Sequence, residues 1–253
     1  MTLAVSADRP HAFVMARLCD VAPGGASTVV TRGALNLCHR DGHDAPRPIE
    51  PGESMDVTIS LKAVGYAVAP GHRLRLALST SYWPWLWPSP EPATITIATG
   101  DAGRLVLPSR PPQAEDAALA PFGPPETAPA LAVDQLRPRR PRLEVARDVL
   151  GGRTTLRMAR DFTGARRFPS GLEYHDADPI EFSIVDDDPL SARVECRRRI
   201  EVRRPGWSTV IEVLAVMTSD RERFHVTSVL DAYEGDTRVH TASHTRAIRR
   251  DHA

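Results

Sequence analysis

Cysteine is scarce in this sequence. Cys19, Cys38 and Cys196 are odd in number and form no C-x-x-C pair, which excludes a disulfide framework and a zinc ribbon and leaves free, buried thiols as the expectation. Long apolar runs are also missing, since no stretch reaches the ~18 residues that would span a bilayer. The first residues, "MTLAVSADRPHAFVMARL", have no basic leader, and Asp8, Arg9 and Pro10 interrupt their apolar stretch. Neither a signal peptide nor a membrane anchor is therefore expected, and the location implied is cytoplasmic.

Net charge is absent as well. Thirty-two basic and thirty-two acidic residues cancel, with residues 1–136 at −3 and residues 137–253 at +3. Neither half carries the basic footprint of a nucleic-acid binder. Lysine is reduced to Lys62; such arginine usage fits a GC-rich coding bias better than anion recognition, and no function is read from it.

Catalytic and cofactor motifs are missing too. Gly25-Ala-Ser27, Gly52-Glu-Ser54 and Gly206-Trp-Ser208 each lack the second glycine that a nucleophile elbow needs for its strained turn. There is no G-x-G-x-x-G, P-loop or H-E-x-x-H. No segment sustains the i, i+3, i+4 stripe of an amphipathic helix, and residues 113–120 are at best one short helix.

What the sequence does contain is strands. Residues 11–107 alternate short apolar runs with turn chemistry such as "APGGAS" and "HRDGHDAP", the spacing of a β-sandwich or barrel. In "HRLRLALS", Leu74, Leu76 and Leu78 share one strand face and predict a core side. Residues 108–141 then collect nine prolines and read as a linker. From Arg142 longer strands follow, joined by short turns such as "RPGW" and "YEGD", as in a meander. Residues 210–217 are apolar on both faces, which predicts a central strand. The organisation expected is all-β: a partial jelly-roll (galactose-binding-like) sandwich over 1–107, a Pro-rich linker over 108–141 and an antiparallel β-rich domain over 142–253.

Several clusters offer chemistry, each with a plainer reading. Cys38, His39, His43 and Asp44 in "LCHRDGHD" could hold Zn²⁺ if a turn gathered them, but an exposed polar turn is favoured. Asp186, Asp187 and Asp188 lack the alternating spacing of a calcium loop and predict a hairpin turn. His240 and His244 sit in a Thr-rich, β-like stretch that would hold them ~13 Å apart. Glu173, Asp176 and Asp178 could serve an unfamiliar hydrolase, yet carboxylates in a turn-rich region are usually solvated.

Taken in order, "RLCDVAPGG", "VTRGALNLCHRDGHDAP", "GHRLRLALS" and "WPSPEP" resemble the C-terminal jelly-roll domain of the X-Pro dipeptidyl-peptidase and cocaine-esterase (CocE/NonD) family of serine hydrolases. The resemblance covers about residues 3–112. A weaker one, through "GLEY", "SIVDDDPLSARVECR", "LDAYEGDTRV" and "IRRD", extends to the β-rich C-terminal extension of that family. It implies a non-catalytic region that braces an α/β-hydrolase domain and helps shape its cleft, the Ser, Asp and His triad lying on that other domain, upstream or on a separate chain. No catalytic, cofactor-binding or metal-binding residue is expected here, and no cofactor. Because Met1 falls late in the family's jelly roll, an unpaired sheet edge is expected, open to homo-oligomerisation.

The remaining feature is "SYWPWLWPSPEP", residues 81–92. If this segment is extended, Trp83, Trp85 and Trp87 point to one side and Leu86 to the other. With Tyr82 they form the candidate surface, either a domain interface or, in a stand-alone binding module, a platform for sugar rings. Without the hydrolase domain, at least one of these rings should be exposed.

Overall fold

The computed structural model describes every residue except Pro112, Phe162 and Ala253. The architecture is all-β and antiparallel, and among the described residues there is no α-helix, only three short 3₁₀ segments. No helix is long and apolar enough to cross a membrane.

Two small sheets form the first part. In one, β1 (Thr2–Ala7) runs between β4 (Met55–Thr58) and β6 (Ile95–Ile97), with β7 (Gly103–Arg104) also pairing β1. In the other, β2 (Phe13–Val21) lies between β3 (Ser27–Asn36) and β5 (Arg73–Ser79). Strand alternation aims Leu3, Val5 and Ala7 of β1 at Val14 and Ala16 of β2, and Leu37, Cys38, Ile49, Val57 and Ile59 complete one apolar core. The first strand is thus an interior strand rather than an open edge: β4 and β6 flank it, and the Met1 ammonium donates to the Ile59 carbonyl at 3.0 Å. Of the leucines in β5, Leu76 and Leu78 pack against the core, whereas Leu74 is 44% exposed because it lies beyond the core's end, opposite Asp20.

Gly33 in β3 illustrates how closely this part is packed. A Cβ there would sit 2.1 Å from the Ser60 carbonyl oxygen. That approach lets Lys62 N–H donate to the Arg32 carbonyl at 3.0 Å and Thr31 Oγ1 donate to the Lys62 carbonyl at 2.6 Å.

The second part is one ten-stranded sheet. Its main path runs from β17 (Thr237–Arg249) through β16 (Arg223–Glu234), β15 (Trp207–Ser219), β14 (Asp188–Arg204), β12 (Glu173–Ala177) and β11 (Ala165–Arg167) to β8 (Asp134–Arg137). The 17-residue β14 also pairs β13 (Pro179–Val185), which continues to β10 (Arg153–Ala159) and β9 (Arg142–Asp148). Residues 134–137, within the proline-rich stretch, are therefore strand, added where the proline spacing opens between Pro129 and Pro138. The stretch 210–217 does lie in a central strand, β15. Asp186 and Asp187 form a two-residue hairpin turn, with Val185 paired to Asp188 and Asp187 at φ 57°.

Unlike the sandwich, this sheet buries little. Among the described residues from 134 onward the buried apolar side chains are Ala165 and Ala192. Its arginines instead meet carboxylates across and along the strands, as in Arg157–Glu181 at 2.8 Å, Arg198–Asp176 at 2.6 Å and the Arg199–Glu212 pair. At this exposure such pairs each contribute little to stability.

Candidate functional site: the tryptophan segment

Residues 81–88 do not extend. Trp85 N–H and Leu86 N–H both donate to the Tyr82 carbonyl, at 2.9 and 3.0 Å, closing a turn, and the Trp83–Pro84 peptide is cis. The reading in which all three indoles point to one side is corrected here: the turn gathers Trp83 and Trp87 on one side and sends Trp85 to the other.

Trp83 and Trp87 meet edge to face at 5.3 Å and 82°. Each also meets a phenylalanine of the large sheet edge to face, Trp83 with Phe182 of β13 at 6.1 Å and Trp87 with Phe224 of β16 at 6.0 Å, the geometry favoured by aromatic quadrupoles. Trp87 Nε1–H donates to Ser219 Oγ at 2.9 Å. The two rings therefore line the junction between the sandwich and the large sheet.

Arg250 closes that junction. It is 4% exposed, with Nη1 donating to Ser219 Oγ at 3.2 Å and to the Asp220 carbonyl at 3.1 Å, and Nη2 donating to the Pro88 carbonyl at 2.5 Å. Its guanidinium carbon lies 4.8 Å from the Phe224 ring centre, and burial lowers its pKa from the usual arginine value. Glu91 spans the same junction from outside, 3.6 Å from Arg9 and 3.6 Å from Arg221.

Tyr82 and Trp85 face the other way, over the outer surface of the β2–β3 strands. Arg17 and Arg32 stack on the Tyr82 ring at 5.4 and 5.8 Å, and Arg32 lies 3.9 Å from the Trp85 ring centre. Trp85 remains 68% exposed.

A cavity of about 320 Å³ adjoins Trp87 and Arg250, lined also by His11, Phe13, Asn36 and Leu86. On its sandwich side, burial, then the nearby His252 and Arg250, hold the His11 pKa below the usual histidine value, and burial pushes the Cys38 thiol up.

The other sequence candidates fall elsewhere. Glu173, Asp176 and Asp178 each face an arginine: Arg167 at 2.7 Å, Arg198 at 2.6 Å and Arg160 at 2.8 Å. Arg198 holds the Asp176 carboxyl below its usual range against the effect of burial. These acids are committed to ion pairs. His39 and His43 do meet, Nδ1 to Nδ1 at 3.0 Å, but on the surface, while Cys38 turns inward and donates to the Pro10 carbonyl at 3.4 Å. Cys19 and Cys38 are buried free thiols, and Cys196 is half-buried. Sequence reasoning missed Phe182, Ser219 and Phe224, whose role depends on contacts with residues about a hundred or more positions away. Arg250 was touched only through "IRRD".

Fold and site together define a two-part β protein in which Trp83 and Trp87 pack between the sandwich and the large sheet. Residues 1–136, more than half of the chain, match the X-Pro dipeptidyl-peptidase C-terminal non-catalytic domain, and the chain belongs to that family. Its role is accordingly that of a non-catalytic accessory domain, of the kind that accompanies a catalytic one. No curated protein matches the chain.

Proposed function

We propose that the chain braces the α/β-hydrolase catalytic domain of a serine esterase or X-Pro dipeptidyl-peptidase, upstream or on a separate chain, and walls its substrate cleft. The catalytic serine belongs to that domain, and the compartment is the cytoplasm. One observation carries the reading beyond family membership. Large apolar side chains stay in solvent along the linker and the following hairpin: Leu119 at 70%, Phe122 at 103%, Leu131 at 64%, Leu143 at 74% and Leu150 at 99% exposure. Such a concentration fits a surface that a partner domain covers.

Hydrolysis assays test this. The purified chain should turn over neither p-nitrophenyl esters nor X-Pro anilides, and it should associate with a family α/β-hydrolase domain through the linker, Phe122→Ser with Leu150→Ser weakening the association. Turnover by the chain alone through a fluorophosphonate-sensitive serine would sink the reading. So would an association indifferent to both substitutions.

A stand-alone ligand-binding module is the second reading, favoured by the open indole of Trp85. Tryptophan fluorescence titrated with millimolar oligosaccharides separates the two: a shift lost in Trp85→Ala supports the module, and no shift supports the accessory role.

A further inference from the structure

We propose that Cys38 together with His11 and His252 forms a binding site for a divalent transition cation, with Zn²⁺ the ion its donor set fits. The Sγ of Cys38 and one ring nitrogen from each histidine all lie within 4.8 Å of one another. A tetrahedral zinc bound at ~2.0–2.3 Å to nitrogen and sulfur needs its ligand atoms about 3.5 Å apart, so small side-chain rotations close the set. One thiolate and two imidazoles suit a borderline-soft ion, and the absence of a carboxylate from the trio disfavours Ca²⁺ and Mg²⁺.

The three ligands come from separate places: the loop between β1 and β2, the 3₁₀ turn after β3 and the turn after β17. One side chain fixes two of them. Asn36 Oδ1 accepts the Cys38 N–H at 3.0 Å, and Asn36 Nδ2 donates to the His252 carbonyl at 2.6 Å. These bonds hold the two backbones, and with them the places from which the ligand side chains start, in register.

A further observation points to a missing partner. His252 Nδ1 is buried and has no hydrogen-bond partner among the described residues, although buried ring nitrogens are ordinarily satisfied. A cation in the trio would satisfy it. On binding, the Cys38 thiol would release its proton to solvent and give up its contact with Pro10. The fourth position would be left to water or to the Pro10 carbonyl. The consequence is a clip that ties the end of the large sheet to the sandwich, and it does not depend on the hydrolase reading.

The test is titration of the metal-stripped full chain with Zn²⁺ in competition with a chromogenic chelator, with Co²⁺ as the optical probe. We expect one Zn²⁺ per chain, a raised melting temperature and a thiolate-to-cobalt charge-transfer band that Cys38→Ala removes. His252→Ala, at the periphery of the fold, should keep the native circular dichroism and weaken zinc binding by at least roughly tenfold. Replacing the surface pair, His39→Ala with His43→Ala, should leave binding unchanged. The proposal is overturned if the wild-type chain takes up no Zn²⁺, or if uptake survives both Cys38→Ala and His252→Ala, whatever the His39 and His43 substitutions do.

Discussion

Replacing Arg250 by alanine should loosen the junction between the sandwich and the large sheet, and its cost can be worked from the contacts. The guanidinium makes three hydrogen bonds, to Ser219 Oγ, the Asp220 carbonyl and the Pro88 carbonyl, and covers the Phe224 ring. Charged-donor bonds are worth roughly 1.5–3 kcal/mol each, set against a desolvation penalty of several kcal/mol for one buried ion. The net loss should be about 2–3 kcal/mol. In urea that corresponds to a midpoint lowered by about 1–1.5 M for a slope near 2 kcal/mol/M. Trp83 and Trp87 lie in the same junction, so the native emission should also shift to the red. Arg250→Met, which restores apolar volume over Phe224 without the charge, should recover part of the loss. An alanine variant with both the wild-type midpoint and the wild-type emission would refute the assignment of Arg250 as the clamp.

Gly33→Ala should destabilise the sandwich by roughly 1–3 kcal/mol, because its methyl group would meet the Ser60 carbonyl at 2.1 Å; thermal melts of the purified variant measure this. Asp220 gives a pH prediction. A hydrogen bond from His225, then those from the backbone of Glu222 and Arg223, holds its pKa at about 2. A carboxyl depressed in the folded state stabilises it above the ordinary range near 4 and loses that contribution as pH falls towards 2. Asp220→Asn should therefore flatten the stability profile over that interval, and an unchanged acid limb would count against it. Trp87→Phe removes the indole donor to Ser219 and should cost about 1 kcal/mol, whereas Trp85→Ala, at an exposed position, should leave the urea midpoint nearly unchanged.

Much of the fold is legible in residue order because strand signals are local. Period-two alternation marks β5, and the Asp186-Asp187 dipeptide marks a hairpin whose turn chemistry needs no tertiary partner. The doubly apolar stretch around Val213 announces a central strand. Leu74 shows the limit: it carries the same pattern as Leu76 and Leu78, but whether a strand face is covered depends on where the opposing sheet stops. The tryptophan segment shows it more sharply. Proline content suggested an extended run, and the two N–H groups converging on the Tyr82 carbonyl bent it instead.

The sequence by itself determined the β class, the family and the lack of the common catalytic signatures, because each of these is written in short-range pattern or in ordered motifs. Only the tertiary structure decided what the tryptophans do, turning Trp83 and Trp87 towards Phe182 and Phe224 and leaving Trp85 in solvent. It likewise drew Cys38 away from its neighbours His39 and His43 and towards His11 and His252. The physical reason is the same in both cases. Side-chain partners are chosen by which surfaces packing brings within a few ångströms, and contacts between sheets that join residues about a hundred or more positions apart leave no local trace of that choice.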